Sequence, residues 1–153
     1  MKPQRTNVVY VIKQLELALR PRFLAACAEA GMTAAQYTAL TVLERRPGIT
    51  SSELARRSFV RAQTMAATID PLLEAGLVRR EHDPQHGRRM LLSLTDAGAQ
   101  AIAALDPQVA RVEELLLADF DEQERATFID LLRRARLALD ERDHREPLHP
   151  PGE

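Results

Sequence analysis

One change in hydrophobic periodicity constrains this fold more than any other feature of the sequence. Up to Gly76, and again after Thr95, apolar residues recur at the three- and four-residue steps of amphipathic helices. Between them lie two short β-capable runs, 77–82 and 90–94, which the turn-rich segment 83–87 separates. The chain gives no other strand signal, so the sequence predicts a mainly α protein with one small β-hairpin.

Capping residues and prolines divide the helical parts of the chain. Thr33-Ala-Ala-Gln36 and Thr50-Ser-Ser-Glu53 have the pattern of capping boxes, in which side chain and backbone satisfy each other's free N–H groups. Pro21 and Pro107 are expected to bend the helices that contain them. The predicted helices cover residues 6–30, 34–44, 51–57, 62–75 and 97–118, followed by a last helix that Asp121 opens.

A short helix, a tight turn, a second helix and a hairpin form the element order of a winged helix-turn-helix. In that fold the second helix fits the major groove of DNA and the hairpin reaches the neighbouring minor groove. With Met65 and Ile69 facing inward, the other face of the second helix presents an amide, a hydroxyl and a small side chain: Gln63, Thr64 and Ala67. These three are predicted to contact base edges, and Arg61 to contact a phosphate at the helix N-terminus.

Further arginines lie on the hairpin tip and on the short helix before the turn. Arg88 and Arg89 at the tip are predicted to enter the minor groove, where a narrow groove concentrates negative potential. Arg56 and Arg57 end the short helix and are candidates for phosphate contacts. The predicted DNA-binding set therefore combines groups that recognise bases with groups that only position the protein.

Composition and charge are those of an ordinary globular protein, with 45% hydrophobic and 28% charged residues. The net charge is −1, but residues 1–52 carry seven basic and three acidic side chains, whereas residues 113–153 carry six and twelve. A basic face is therefore available for phosphate. The N-terminus lacks the pattern of a signal peptide, no apolar run is long enough to span a membrane, and the single cysteine is Cys27, so we expect a cytoplasmic protein.

The sequence contains no phosphate-binding loop, metal cluster or nucleophile–base pair, so we expect neither an enzyme nor a cofactor. His82 and His86 lie on the hairpin, and His144 and His149 lie in the tail, without a fixed ligand spacing. Zinc sites in proteins depend on such spacing. No metal site is therefore predicted.

Five ordered segments resemble the MarR family of transcriptional regulators. Each segment alone is weakly specific, but the ordered set is strong, and the resemblance extends over residues 6–142. The segments are Gly31-Met-Thr-Ala-Ala-Gln-Tyr-Thr-Ala-Leu40, Ser52-Glu-Leu-Ala-Arg-Arg57, Leu73-Glu-Ala-Gly-Leu-Val-Arg-Arg80, Gly87-Arg88 and Leu94-Thr95-Asp-Ala-Gly98.

The resemblance implies a homodimer with a small-molecule effector site between the dimerisation helices and the DNA-binding lobe. It also implies that Arg88 is the wing arginine of the family. The implied single domain, 1–153, consists of dimerisation helices at 6–30 and 97–142, a winged helix-turn-helix at 34–95 and a disordered tail at 146–153.

Two residues depart from the family pattern. The family commonly has an acidic residue two places before the wing arginine, where this chain has His86, so that arginine is either held less firmly or held by Asp83. Pro71 lies inside the helix that would be the recognition helix, and it removes a hydrogen bond to the carbonyl of Ala67. Whether this proline breaks the helix after Asp70 is left open by the sequence.

The sequence therefore predicts a homodimeric, ligand-responsive transcriptional repressor that binds a pseudo-palindromic operator in double-stranded DNA. Two alternatives stay open at this point. One is a winged-helix module that associates with proteins, which the near-zero net charge and Pro71 would suit. The other is an oxidant sensor that acts through Cys27, although a lone cysteine on the apolar side of a helix is more often a small core residue.

Overall fold

The computed structural model of the protein describes residues 7–143, and their side chains as far as residue 139. The predicted helix start at Thr6, the tail at 146–153, and His144 and His149 lie outside the described residues. The chain forms two compact units, one that ends at Val112 and one that begins at Glu113. In chain order the described elements are α1 (Val8–Glu29), α2 (Ala34–Arg45), α3 (Ser51–Arg57), α4 (Ala62–Glu74), β1 (Val78–His82), β2 (Met90–Leu94), α5 (Asp96–Ala103), α6 (Asp106–Leu116) and α7 (Glu122–Asp143).

The first four helices begin and end within two residues of their predicted limits, and capping side chains fix the starts of α1, α2 and α3. At α2 the predicted capping box is confirmed: Thr33 Oγ1 accepts from the N–H of Gln36 at 3.1 Å, and Gln36 Oε1 accepts from the N–H of Thr33 at 3.0 Å. At α3 the hydroxyl of Thr50 accepts from the N–H of Glu53 at 3.2 Å. The carboxylate of Glu53 turns instead to Arg57, whose Nε donates to it at 3.0 Å.

The single helix predicted over 97–118 is wrong. The structure divides it into α5 and α6, with Ala104 and Leu105 between them. Pro107 has no N–H to continue a helix, but it is tolerated in the first turn of a helix, where that N–H would lack an intrahelical acceptor anyway. It lies there in α6, whereas Pro21 lies inside α1, which continues through it.

The core of the first unit lies where the stripes of the short helices converge. Its most completely buried large side chains are at most 1% exposed: Leu40, Leu43, Leu54, Met65, Leu105 and Cys27. Burying a leucine completely stabilises the folded chain by about 1.5–3 kcal/mol, and these residues come from elements that are distant in sequence. The core therefore fixes the directions in which α3 and α4 face.

The predicted hairpin is confirmed, with β1 antiparallel to β2 and Val78 opposite Leu94. A third segment, which the sequence reading missed, pairs with it at Ile49. The N–H of Leu92 donates to the carbonyl of Ile49 at 2.7 Å, and the N–H of Gly48 donates to the carbonyl of Leu92 at 3.0 Å. The loop between α2 and α3 is thereby joined to the hairpin, which we call the wing (residues 78–94).

The second unit contains α7, whose start is capped on both sides. Asp121 Oδ1 accepts from the N–H of Glu124 at 2.8 Å, and Glu124 Oε1 accepts from the N–H of Asp121 at 3.1 Å. Arg125 Nε donates to the carbonyl of Phe120 at 3.1 Å, and the ring of Phe120 meets that of Phe128 edge to face at 5.3 Å. These contacts fix the turn that leads into α7.

Much of the apolar surface of α1 and α7 stays exposed. The first turns of α1 present five consecutive exposed side chains, between 48% and 69% exposed: Val8, Val9, Tyr10, Val11 and Ile12. In α7 the exposed set is Ile129, Leu131, Leu132, Leu137 and Leu139. A contiguous patch of large, exposed apolar side chains is unusual on a protein surface that remains in contact with water.

Candidate DNA interface

The helix α4 presents the predicted recognition surface. Its inward side is 1–3% exposed at Met65, Ile69 and Leu72. Its other side is exposed at the three residues predicted to contact bases, Gln63, Thr64 and Ala67. Arg61 is the N-cap residue, is exposed, and makes no capping hydrogen bond through its side chain. Arg61 therefore stands at the positive end of the helix dipole, where a phosphate group is bound favourably.

Pro71 does not break α4, a point that the sequence left open. The helix runs without interruption from Ala62 to Glu74. Both Pro71 and Ala67, whose carbonyl loses its usual donor, are exposed, so that carbonyl lies at the solvent side of the helix. The buried stripe on the other side supports the helix through packing, which outweighs the loss of one hydrogen bond.

The short helix α3 places two arginines beside a single carboxylate. Arg57 is partly buried, and its Nη2 lies 3.0 Å from Glu53 Oε1, whereas Arg56 is exposed and its Nη2 lies 3.8 Å from the same oxygen. One acidic group thus faces two basic ones, so this end of α3 has a net positive charge. Of the two predicted phosphate contacts, Arg56 is the more accessible.

The turn between α3 and α4 carries an unusual residue that the sequence reading missed. Phe59 has a φ of 56° and is the only non-glycine residue with positive φ in the described chain. Its N–H donates to the carbonyl of Arg56 at 3.2 Å, and the N–H of Val60 donates to that of Ala55 at 3.1 Å, the hydrogen bonds of a Schellman motif. Left-handed backbone costs a residue with a Cβ atom roughly 1–2 kcal/mol. The ring of Phe59 is 66% exposed.

The tip of the wing holds the two remaining predicted DNA contacts. Arg88 and Arg89 are both exposed, beyond the last paired residues of the strands, His82 and Met90. The tip is ordered by its backbone: the N–H of Asp83 donates to the carbonyl of Arg89 at 2.9 Å, and the N–H of Arg89 donates to the carbonyl of His86 at 2.8 Å. The arginine side chains are therefore presented from a defined loop.

Asp83 orders the tip without pairing with the wing arginine. Its Oδ1 accepts from the backbone N–H of Gln85 at 2.9 Å, and no ion pair joins it to Arg88 within the described structure. Of the two alternatives left by the missing acidic residue at His86, the structure thus gives no support to capture by Asp83. The guanidinium of Arg88 extends into solvent.

Gly98 holds the base of the wing against α5. A Cβ atom at this position would collide with the carbonyl oxygen of Leu77 and the side chain of Leu94. Thr95 joins the same elements, since its hydroxyl donates to the carbonyl of Gly76 at 2.6 Å and accepts from the N–H of Gly98 at 3.1 Å. The wing is therefore anchored at its base and projects from there.

A shallow cleft of about 170 Å³ lies between α4 and the wing. It is open to solvent and has an apolar floor from Ile69, Met90 and Leu92, with Asp70 and Arg80 at its rim. The cleft depends on how the hairpin packs against α4, so the residue spacing in the sequence gave no signal for it.

Cys27 is a core residue in this structure, with 1% of its surface exposed. Burial raises the pKa of its thiol above the usual value, because the apolar surroundings disfavour the charged thiolate. Since the thiolate is the reactive form, these surroundings oppose reaction with oxidants.

Two other kinds of feature are absent from the described part of the chain. Within residues 7–143, no three side chains among His, Cys, Asp and Glu converge closely enough to bind a metal ion. None of the helices described there is both long and apolar enough to cross a membrane.

Comparison with known sequences identifies relatives of this chain. A family model described as "MarR family" matches residues 30–89. A putative transcriptional regulatory protein for the hcr operon of Thauera aromatica is 34% identical over 68% of this chain, and the match spans 63% of that relative's length. The transcriptional regulator HosA of Escherichia coli O111:H- is 32% identical over 67% of this chain and 76% of its own length.

Solved structures give the same result for the fold. The PcaV transcriptional regulator of Streptomyces coelicolor, in complex with its natural ligand, is 31% identical, with a TM-score of 0.69 over 88% of this chain and 94% of PcaV. The transcriptional repressor CouR, bound to a 23-mer DNA duplex, is 27% identical, with a TM-score of 0.73 over 85% of this chain and 92% of CouR. These relatives are transcriptional regulators and not enzymes. The protein described here belongs to the MarR family of winged-helix transcriptional regulators.

Proposed function

We propose that this protein is a homodimeric transcriptional repressor that binds a pseudo-palindromic operator in double-stranded DNA and is released from it by a small-molecule effector. One observation carries the proposal: one side of α4 is buried in the core, and the other side exposes Gln63, Thr64 and Ala67. These residues follow Arg61, the N-cap residue, whose side chain makes no capping hydrogen bond. A helix with that surface at its N-terminal end is suited to the major groove.

The proposed contacts divide by their chemistry. Gln63 is able to form a bidentate pair with adenine, Thr64 supplies a hydroxyl, and Ala67 allows the helix to approach the bases closely. Arg61, Arg56 and Arg57 would position the protein on phosphates, and Arg88 and Arg89 would enter the minor groove beside the half-site. The first group sets which sequence is bound, and the second sets affinity and its dependence on salt.

The homodimer in this proposal is held by the exposed apolar residues of α1 and by the side of α7 that contains Leu131 and Leu132. A two-fold dimer places the same patch of both chains against each other, so residues such as Ile12 and Leu132 would be buried in the assembly. Two α4 helices related by that axis would lie about one turn of DNA apart, which requires a pseudo-palindromic operator. A DNA-binding repressor of this kind acts in the cytoplasm, where we place the protein.

Effector response is supported by PcaV, whose structure contains its natural ligand, and repression by CouR, a repressor bound to DNA. An effector lowers operator affinity only if it binds a dimer with the wrong spacing of α4 helices more tightly than one with the right spacing. A tenfold loss of affinity corresponds to about 1.4 kcal/mol of such a preference.

The test is fluorescence-anisotropy titration of duplexes from the upstream region of the protein's own gene, at two salt concentrations. Wild-type protein should bind one duplex selectively, with an affinity that falls steeply with salt. Arg88→Ala should weaken that binding and reduce the salt slope by about 1, because one phosphate-neutralising cation is lost. Arg111→Ala is the matched control, since Arg111 is an exposed arginine on α6, far in sequence from the wing, that pairs with Glu29.

Selective binding that Arg88→Ala weakens and Arg111→Ala leaves unchanged supports the proposal. Binding that is absent, or indifferent to both sequence and Arg88, would contradict it. The winged module would then have to be read as a surface for protein association.

A further inference from the structure

We propose that Arg80, on the first strand of the wing, is a further DNA-contacting residue, whose guanidinium binds the phosphate backbone between the major groove that α4 enters and the minor groove that the wing tip enters. This inference rests on the proposed DNA-binding function and deepens it. It adds a phosphate contact in each half-site, between the contacts predicted for α4 and those predicted for Arg88 and Arg89 at the tip.

The first argument is the place of Arg80 in the hairpin. Arg80 lies opposite Leu92 in the antiparallel register, and directly opposite residues of two strands have their side chains on the same face. Leu92 is 2% exposed and belongs to the core, as does Val78, two residues before Arg80 on the same strand. Because side chains alternate along a strand, Arg80 lies on the face of the wing that packs toward the core, whereas Arg79 lies on the other face.

The second argument is the open cleft of about 170 Å³ between α4 and the wing, which Arg80 lines. On the other side, α4 contributes the exposed residues Ala66 and Asp70 to the same cleft. Gln63, Ala66 and Asp70 are spaced three and four positions apart, so they share one stripe of the helix. The face of the wing that bears Arg80 and the side of α4 that presents Gln63 therefore meet at this cleft.

The third argument is charge. Arg80 is exposed, and no ion pair joins its side chain to another residue in the part of the chain that the structure describes. Asp70 lines the same cleft without pairing with Arg80, and its carboxylate repels an approaching phosphate. Binding of a phosphate at the cleft therefore depends on the guanidinium of Arg80, which is able to offer two parallel N–H donors to the phosphate oxygens.

The geometry of duplex DNA identifies the partner. One sugar–phosphate strand separates a major groove from the adjacent minor groove, so a protein with a helix in the first and a hairpin tip in the second crosses that strand between them. In this protein the cleft between α4 and the wing is the surface that would face it. Contacts to phosphate fix the position of a protein on DNA without selecting bases. Arg80 would therefore set the affinity and the placement of the wing, and not the choice of sequence.

A matched pair of substitutions tests this role. Arg80→Gln and Arg79→Gln remove the same charge from neighbouring positions on opposite faces of β1, and Arg79 pairs with Glu81 at 3.1 Å, outside the cleft. We expect Arg80→Gln to weaken binding about five- to tenfold at low salt and to reduce the salt slope by about 1, on the operator and on unrelated duplexes alike. Arg79→Gln should change neither quantity, and Arg80→Lys, which keeps the charge, should retain most of the affinity.

A third substitution should act in the opposite direction. Asp70→Asn removes the carboxylate that faces the same phosphate, so binding to every duplex should become about twofold tighter or more. Unchanged or weaker binding in Asp70→Asn would contradict the placement of a phosphate at the cleft.

The decisive measurement replaces single phosphates of the selected operator with uncharged methylphosphonates. Wild-type protein should lose affinity at one position per half-site, between the contacts of α4 and those of the wing tip, and Arg80→Gln should be indifferent to that replacement. Equal responses of the two proteins at every position, or equal effects of Arg80→Gln and Arg79→Gln on affinity, would overturn the proposal. A lower Tm in both Arg80→Gln and Arg80→Lys would also overturn it, because the side chain would then serve the fold. Selective operator binding by the wild type, tested independently with Arg88→Ala, separates failure of this inference from failure of the proposed function.

Discussion

The winged region and the terminal helices use apolar residues in opposite ways. Between Ala34 and Leu94, large side chains such as Leu40, Leu54 and Met65 are at most 1% exposed. In α1 and α7, many large apolar side chains are between 39% and 69% exposed, including Ile12 at 48% and Leu132 at 44%. Both regions have the periodicity of amphipathic helices, so periodicity alone does not distinguish them.

The difference shows that an apolar helical stripe can pack within the chain in one region and remain exposed in another. In the winged region the three helices α2, α3 and α4 and the two strands of the wing share one core, and their apolar stripes are buried within the chain. The helices α1 and α7 keep apolar side chains exposed in the single chain, and such side chains are available to associate with a second apolar surface. We therefore expect changes in the two regions to affect different measurable quantities, namely chain stability and self-association.

The largest effect is expected from Leu40→Ala in the winged region. Leu40 is fully buried, so truncation removes its buried methyl groups and leaves a cavity, lowering the free energy of unfolding by about 3 kcal/mol. Urea denaturation followed by circular dichroism measures this change. The same truncation at Leu137, which is 58% exposed, is the control and should alter stability by less than about 0.5 kcal/mol. Equal losses in the two variants would refute the contrast between the regions.

A smaller but more diagnostic effect is expected from a pair of substitutions in α7. Leu132→Glu places a charge in the stripe that also contains Phe128 and Ala135, whereas Leu137→Glu places the same charge on the opposite side of the helix. We expect Leu132→Glu to weaken the dimer at least about tenfold, or roughly 1.4 kcal/mol, and Leu137→Glu to leave it unchanged.

Sedimentation equilibrium at several protein concentrations measures this dimer affinity. The two leucines are 44% and 58% exposed in the single chain, so burial within the chain predicts nearly equal effects. If both variants stay dimeric, or if both dissociate equally, the stripe of α7 is not the interface.

The smallest effect concerns the start of α7. The N–H of Glu124 donates to the carboxylate of Asp121 and lowers its pKa below the usual value for aspartate. A carboxylate with a lowered pKa stabilises the folded state above its unfolded pKa, and this contribution disappears as the pH falls through the folded value. Asp121→Asn should therefore show a slightly weaker loss of stability between neutral pH and pH 3 than the wild type.

Thermal denaturation across that pH range tests the expectation, with Asp119→Asn as a control that removes the same charge just before the capped turn. An identical pH dependence in Asp121→Asn and the wild type would show that the negative charge of the Asp121 carboxylate contributes nothing measurable to the stability of α7, since asparagine keeps an oxygen that accepts the capping hydrogen bond.

Sequence reasoning located most of the fold and the faces of its helices. The capping residues Thr33 and Asp121 lie where the helices α2 and α7 begin, and the stripe of α4 predicted which side chains point outward. It misjudged two prolines in opposite directions: Pro71 leaves α4 uninterrupted, whereas Pro107, which was expected only to bend a helix, lies in the first turn of α6 just after the point at which that helix divides. The side chains predicted to contact DNA are exposed on α3, α4 and the wing, apart from the partly buried Arg57, and their contacts stay predictions.

The sequence by itself determined the local elements, because capping, periodicity and turn formation depend on residues three or four positions apart. Only the tertiary structure decided the features that join distant residues: the pairing of Ile49 with Leu92, the close approach at Gly98 and the cleft beside α4. It also decided which apolar stripes are buried, since burial depends on what every other element covers. The left-handed backbone of Phe59 belongs to the same class, because packing on both sides of the turn holds a residue in a conformation that its own side chain disfavours.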